Sequence, residues 1–231
     1  MFFDPMYIVL VLLPGLAISG LASLMVKMAF NRYSKVRSIR GMTGAQAAQV
    51  LLDQAGIHDV RIVPAHGFLS DHYNPLTKEL ALSEQVYSSN SVAAIGVATH
   101  EAGHAIQHAT HYAPLWIRSA LVPMASIGSN LGLLVMAVGL FLHQMVVIVG
   151  AVLFGAVLLF QLVTLPVEFN ASSRAKRLVV EAGIVYPEER VGIDAVLNAA
   201  AMTYVAAAIS TLLTLLYYLW RAGLLGGSQR D

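Results

Sequence analysis

Four long apolar stretches dominate the pattern of hydrophobic and polar residues along the 231-residue chain. Each approaches or exceeds the roughly 20 residues that a helix needs to cross a bilayer. The stretches are residues 7–30, 121–142, 145–165 and 202–220. The pattern therefore predicts four transmembrane helices, and because only His143 and Gln144 separate the middle pair, these two should form a tight hairpin. Pro14 and Gly15 predict a kink in the first helix.

More polar segments lie between these stretches and predict a small domain attached to the membrane. The expected organisation is a first helix in 1–30, a polar part in 31–120, a helical hairpin in 121–165, a polar helical part in 166–201, a last membrane helix in 202–220 and a tail in 221–231. We expect the two polar parts to fold together, since neither has a long linker.

Local patterns predict both helices and strands in the polar parts. Thr43-Gly44-Ala45-Gln46 has the form of a capping box and should start an amphipathic helix that ends at Gly56. Short alternating or apolar runs predict strands at 60–63, 68–73 and 79–83. A later helix should begin at Pro187 and run through Ala201. The predicted fold is a mainly α integral membrane protein with a small α+β domain.

Composition supports a membrane protein and excludes several classes of site. Hydrophobic residues make up 57% of the chain and charged residues 12%, with a mean hydropathy of +0.68. Soluble domains are about 45–50% apolar and about 25% charged. The net charge of +1 gives no reason to expect a nucleic-acid partner, and the absence of cysteine excludes disulfides and thiolate metal ligands.

One stretch carries a candidate chemistry, the pattern His-Glu-x-x-His at residues 100–104. On a helix, His100 and His104 lie one turn apart on the same face and can supply two ligands of a zinc site. Glu101 is then placed to act as general base on a metal-bound water. The alternative is a buried helix whose histidines are satisfied by hydrogen bonds.

A catalytic zinc site needs a third protein ligand, and Glu168 is the strongest candidate. It stands at the end of a membrane helix among apolar residues, where an unpaired carboxylate would be costly. Two predicted spans separate it from His104, so both return to the same membrane face. The alternative is a structural ion pair with Arg174 or another basic side chain. The other acidic residues near these segments have the pattern of surface positions: Glu79, Glu84, Glu181, Glu188 and Glu189.

Four parts of the sequence carry a resemblance to a known family: residues 70–75, 98–107, 165–172 and 196–204. Through them the chain resembles, over nearly its whole length, the bacterial membrane-bound neutral zinc metallopeptidases of the YugP-like group. More remotely, the order of elements is similar to the HtpX-like and CAAX prenyl endopeptidases. In those families a second motif supplies an Asp that supports a zinc histidine, and Ser172 stands at that position here.

The resemblance implies a membrane zinc metalloendopeptidase that holds one Zn²⁺ per chain through His100, His104 and Glu168. Glu101 would take the proton of the water and pass it to the leaving amine. Candidate oxyanion or substrate-binding residues are His72, Tyr73 and Tyr204, and candidate supports for the zinc ligands are Asp71, Asn170 and Ser172. Protein or peptide substrates and the lipid bilayer are the implied partners. A membrane-protein partner or a second copy of the chain stays open.

Basic residues predict the orientation. A cluster of Arg32, Lys35, Arg37 and Arg40 follows the first span, and such clusters stay in the cytoplasm. We therefore expect a bacterial inner-membrane protein whose active site faces the cytoplasm. The rival from another class is a membrane module that binds metal without hydrolysis, acting as a regulator or scaffold. Glu101 argues against it, since a site that only holds metal needs no carboxylate there.

Overall fold

The computed structural model describes residues 4–67 and 70–225, and over these the protein is mainly helical with one small sheet. In chain order the helices are α1 Pro5–Tyr33, α2 Gly44–Gln54, α3 Glu84–Tyr87, α4 Val92–Ala109, α5 Ala113–Leu142, α6 Gln144–Glu181 and α7 Arg190–Arg221. The strands are β1 Arg61–Ala65, β2 His72–Asn74 and β3 Glu79–Ser83. Residues 1–3 of the predicted first segment, Phe68 and Leu69 of a predicted strand, and 226–231 of the predicted tail lie outside the described residues.

Four of these helices, α1, α5, α6 and α7, are long and apolar enough to cross a membrane. This number confirms the prediction from hydropathy, but the helices are longer than the apolar stretches. Helix α5 begins at Ala113 and includes Pro123, and α6 continues without a break through Pro166 to Glu181. The third predicted span and the segment that carries Glu168 are therefore one helix.

The interruption predicted in α1 takes the form of a π-helical turn at Ile8–Leu12, just before Pro14. Pro14 has no N–H to bond the carbonyl of Leu10 in the preceding turn, so the normal hydrogen-bond ladder cannot continue there. A second π-helical turn occupies Gly128–Gly132 in α5.

The described residues divide into two compact units. The first, called the all-helical unit, comprises the described residues of Met1–Ala22, Trp116–Leu165 and Thr203–Asp231. Two helices of this unit pack closely at glycines of α5. A Cβ at Gly128 would lie 2.2 Å from the Leu153 carbonyl oxygen, and one at Gly132 would lie 2.6 Å from the Phe154 nitrogen. The two glycines let α5 and α6 approach closely, as the spacing of small residues predicts.

The second unit, called the α+β unit, comprises Ser23–Leu115 and Pro166–Met202. Its sheet has the order β1-β3-β2, with β1 parallel and β2 antiparallel to the central β3. Helix α2 starts at the predicted capping box, in which Thr43 and Gln46 bond each other's backbone, and Gly56 follows it with φ +69°. The buried apolar residues of α2, β3 and α4 form one core with those of α6 and α7 around Ala175 and Ile193.

Two predicted boundaries in this unit are wrong. Strand β1 continues through Pro64 to Ala65, because β1 is an edge strand and a proline there costs no ladder bond on the open side. Helix α7 begins at Arg190 and not at Pro187. The Glu189 carboxylate accepts from the backbone N–H groups of Tyr186 and Ile39, and these bonds hold the preceding residues as a turn.

Candidate metal centre

Helix α4 carries the His-Glu-x-x-His pattern and has the properties expected of a buried helix. The hydroxyl of Ser91 caps its start by accepting from the Ala94 N–H at 3.2 Å. His100 and His104 project from one face, and their ring centroids lie 4.8 Å apart. The two imidazoles are thus adjacent, as a spacing of four residues on a helix requires.

Gly103 lets α4 pack directly against α6 within the α+β unit. A Cβ at Gly103 would lie 2.8 Å from the carbonyl oxygen of Ala171 and 3.3 Å from its Cα. Any side chain at this position would therefore push the two backbones apart. The close contact places Glu168, one turn before Ala171 on α6, opposite the two histidines.

The three side chains converge at distances that fit a single zinc ion. Glu168 Oε2 lies 3.3 Å from His100 Nε2 and 3.5 Å from His104 Nε2. One donor atom from each residue can be chosen so that all three lie within 4.8 Å of one another. Metal–ligand distances of about 2.0–2.2 Å in a tetrahedron separate neighbouring ligand atoms by about 3.3–3.6 Å. The donor set, two imidazoles and a carboxylate, is also one that zinc uses in catalytic sites.

Burial of the Glu168 carboxylate favours the binding of a cation beside it. The Glu168 side chain is 3% exposed, and a buried carboxylate is stable only when positive charge or hydrogen bonds compensate it. Burial alone lowers the pKa of His104. The hydrogen bond to Glu168 and the charges of Glu101 and Glu168 outweigh it, so the pKa of His104 lies above its ordinary value. The site therefore attracts a proton, and a divalent cation would satisfy the same charge.

Both histidines are oriented from their other ring nitrogen. Gln107, which is fully buried, donates through Nε2 to the Val167 carbonyl oxygen at 2.8 Å and to Asn170 Oδ1 at 3.1 Å. Its Oε1 can only accept, so the contact at 3.0 Å from His104 Nδ1 requires a proton on that nitrogen. Nε2 of His104 therefore faces Glu168, and it is the nitrogen that would bind a metal in place of its proton.

Ser172 contacts Nδ1 of His100, as Gln107 contacts Nδ1 of His104. Its Oγ lies 3.1 Å from His100 Nδ1. A hydroxyl oxygen can accept the Nδ1 proton and so fix the same tautomer in His100. Asn170 contacts the centre only through Gln107, and it also accepts from Arg174 Nε at 2.7 Å. Gln107 was missed in the sequence. Its position three residues after His104 on the same helix is the signal that could have found it.

Asp71 does not bond these histidines in the described part of the chain. Its carboxylate accepts from the backbone N–H of Ser83 at 2.8 Å and from the Ser83 hydroxyl at 3.1 Å. The residue therefore links the segment before β2 to the end of β3. Its role as a support of the zinc ligands stays a prediction.

Glu101 lies beside His100 on α4 and is only 9% exposed. The strand β2 lies against the same helix, because the Tyr73 hydroxyl contacts His108 Nδ1 at 2.8 Å. Burial raises the pKa of Tyr73 to about 12 and lowers the pKa of His108, so both states that carry a charge are disfavoured in this hydrogen bond. His72 donates from Nδ1 to the Ser70 carbonyl oxygen at 2.8 Å. Tyr204 is half-buried on α7 and belongs to the all-helical unit.

Comparison with known proteins gives a consistent result. Residues 7–223 match the family described as "Putative neutral zinc metallopeptidase". A curated relative from Bacillus subtilis (strain 168), "Putative membrane protease YugP", is 43% identical over 214 residues. The aligned part covers 92% of this chain and 95% of the relative. No solved structure matches the chain.

Proposed function

The chain belongs to this neutral zinc metallopeptidase family, and on that premise we propose that it is a membrane-embedded endopeptidase with one zinc ion per chain. The observation that carries the proposal is the convergence of His100, His104 and Glu168 beside Glu101. The α+β unit is then a zincin-like catalytic domain. Its substrates are membrane proteins or proteins close to the membrane, and the membrane is the bacterial plasma membrane.

Each residue of the centre has one task in this proposal. His100, His104 and Glu168 hold the metal, and Gln107 and Ser172 keep the two imidazoles in the tautomer that leaves Nε2 free. A bound zinc ion supplies Lewis acidity, which polarises the scissile carbonyl and lowers the pKa of a water towards about 7. Glu101 accepts the proton of the attacking water and returns it to the leaving amine.

Strand β2 is the proposed place for the substrate backbone. It is an edge strand, paired on one side with β3 and held to α4 by the bond between Tyr73 and His108. An extended peptide can add to such an edge through main-chain hydrogen bonds. The contact with His108 gives Tyr73 the task of positioning β2. Within the α+β unit, His72 is the proposed donor that stabilises the oxyanion.

Charge asymmetry and contacts within the all-helical unit support an active site that faces the cytoplasm. Tyr217 donates to Asp4 at 2.5 Å and Gln144 Nε2 donates to the Ala222 carbonyl oxygen at 3.0 Å. These bonds bring together the start of α1, the turn between α5 and α6, and the end of α7. The sequence has 14 Lys and Arg residues, and of these only Arg221 and Arg230 lie in or next to one of these three segments. The remaining basic residues lie in sequence near or after the end of the first apolar stretch, before the second, or between the third and fourth, as expected of cytoplasmic segments.

Cysteine labelling tests this orientation, because the chain has no cysteine of its own. Ser88→Cys changes an exposed residue between α3 and α4, and His143→Cys changes an exposed residue in the turn between α5 and α6. In intact cells, an impermeant thiol reagent should label the His143→Cys variant and leave the Ser88→Cys variant unlabelled until the membrane is opened. The reverse pattern would show that the centre faces outwards.

The peptidase activity itself is tested with the purified full-length protein in detergent. We expect cleavage of an unfolded protein such as casein, loss of at least ~10²-fold of the rate on treatment with a chelator, and recovery on addition of zinc. A His100→Ala variant purified in parallel measures contaminating proteases. Zinc bound at one equivalent without any metal-dependent cleavage would favour the non-hydrolytic metal-binding module.

A further inference from the structure

A cavity of about 670 Å³ lies in the α+β unit between α1, α6 and α7. This volume is in the range of small-molecule sites. Its wall combines apolar and cationic residues with small and neutral polar ones. One part is apolar and includes Met25, Phe169 and Met202, and another carries the cations of Lys176, Arg177 and Arg190. The cavity is separate from the donor atoms of the metal centre.

The polarity of the wall changes in one direction along the helices. On α6, Phe169 follows the apolar stretch that ends at residue 165 by one turn, and Arg177 lies about 12 Å further along, at ~1.5 Å per residue. On α7, Arg190 is the first residue and Met202 begins the apolar stretch 202–220. The apolar end of the cavity therefore adjoins the membrane-type stretches, and the cationic end points away from them.

The apolar side chains at this end are accessible. Met25, Phe169 and Met202 are 43%, 44% and 41% exposed. Met25 lies within the first apolar stretch, as does Met202 within the fourth. An acyl chain would cover such side chains, whereas a water-soluble anion would leave them in contact with solvent.

The cationic end retains positive charge after its own acidic neighbours are counted. Arg190 lies 3.5 Å from Asp194, and Arg177 lies 3.9 Å from Glu181, both on their own helices. Lys176 donates to the neutral amide oxygen of Asn198 at 2.5 Å. Three cations thus face two carboxylates, and the arginines retain further N–H donors that suit a phosphate group.

We propose that this cavity binds one anionic phospholipid, with its phosphate on Lys176, Arg177 and Arg190 and an acyl chain over Met25, Phe169 and Met202. Basic pockets between membrane helices at the cytoplasmic side recognise anionic headgroups in this manner. The cavity shares Ser172 with the metal centre, so the lipid packs against the helix that also carries Glu168. The inference does not depend on peptidase chemistry.

Native mass spectrometry of the full-length protein tests the proposal, with phosphatidylglycerol and phosphatidylcholine of identical acyl chains as probes. We expect phosphatidylglycerol to bind at least ~10-fold more tightly, since each basic contact favours the anionic headgroup and the two carboxylates cancel part of the effect. The triple variant Lys176→Gln, Arg177→Gln, Arg190→Gln should bind both lipids equally. Equal binding of the two lipids to the native protein, or an unchanged preference in the variant, overturns the proposal.

Further variants and a soluble ligand serve as controls. The triple variant Arg32→Gln, Lys35→Gln, Arg37→Gln removes the same charge from exposed residues at and just after the end of α1 and should keep the preference for phosphatidylglycerol. The double variant Arg177→Lys, Arg190→Lys keeps the positive charges and should keep the preference for phosphatidylglycerol. If the triple Gln variant at residues 176, 177 and 190 does not fold, the three single Gln variants replace it, and each should reduce the preference in part. Water-soluble glycerol phosphate should bind at least ~10-fold more weakly than phosphatidylglycerol. Equal affinity would make this a soluble-anion site and not a lipid site.

Discussion

Glu101→Gln should abolish peptide hydrolysis while leaving zinc in place. The side chain keeps its size and can still form hydrogen bonds, but it no longer accepts a proton. Loss of a general base lowers the rate by about 10²–10⁴-fold. Since Glu101 is not among the three converging donors, the variant should bind one zinc per chain as the native protein does. Casein cleavage and metal content, measured on the same preparation, give the two results.

The variant should also retain substrates, because strand β2 is unaltered and still offers its edge. Glu181→Gln is the matched control, since Glu181 is an exposed glutamate paired only loosely with Arg177 at 3.9 Å. That change should affect neither activity nor zinc. Activity near the native level in the Glu101→Gln protein would refute the assigned role. Loss of zinc together with activity would instead make Glu101 part of the metal site.

Glu168→Gln should lower the affinity for zinc by at least ~10²-fold. Removing partners that only orient ligands already costs about 10–100-fold, and Glu168 supplies both a donor atom and the charge that balances the cation. The amide has the same shape, so the buried position remains filled. Competition with a chromophoric chelator measures the affinity, and the lack of cysteine in the chain removes thiolates as competing ligands.

The same control distinguishes loss of the ligand from general damage. Glu181→Gln lies on the same helix and should keep native zinc affinity. Circular dichroism and gel filtration should show both proteins folded, because α6 is continuous through either position. An affinity within a few-fold of native in Glu168→Gln would place the third ligand elsewhere and leave the carboxylate with a structural role.

Features that depend on neighbouring residues were predictable from the sequence. The four apolar helices follow from hydropathy and length alone, and the start of α2 follows from the side chains of Thr43 and Gln46. The adjacency of His100 and His104 follows from helical geometry. In each case the physical cause lies within about one turn of helix or within one apolar stretch.

Features that depend on distant residues were not predictable with the same accuracy. Helix α7 begins at Arg190 because Glu189 bonds Ile39, which is remote in sequence. Gln107 acquires its place in the centre only because the Val167 carbonyl oxygen and Asn170 come to it from α6. The cost of an unpaired carboxylate points to Glu168 in the sequence, and the roles of Glu168 and Glu101 are proposals that the two variants test.

The contact between Gly103 and Ala171 makes two separate parts of the chain interdependent for protein engineering. A chimera that takes α4 from one relative and α6 from another would combine two helices whose backbones are not matched to each other. In this protein a Cβ added at Gly103 would lie only 2.8 Å from the carbonyl oxygen of Ala171. A side chain at Gly103 would shift α6 relative to α4, and Glu168 would move with it. The two segments therefore have to be exchanged as a pair, and one of the two unspecified positions in the His-Glu-x-x-His pattern has no freedom here.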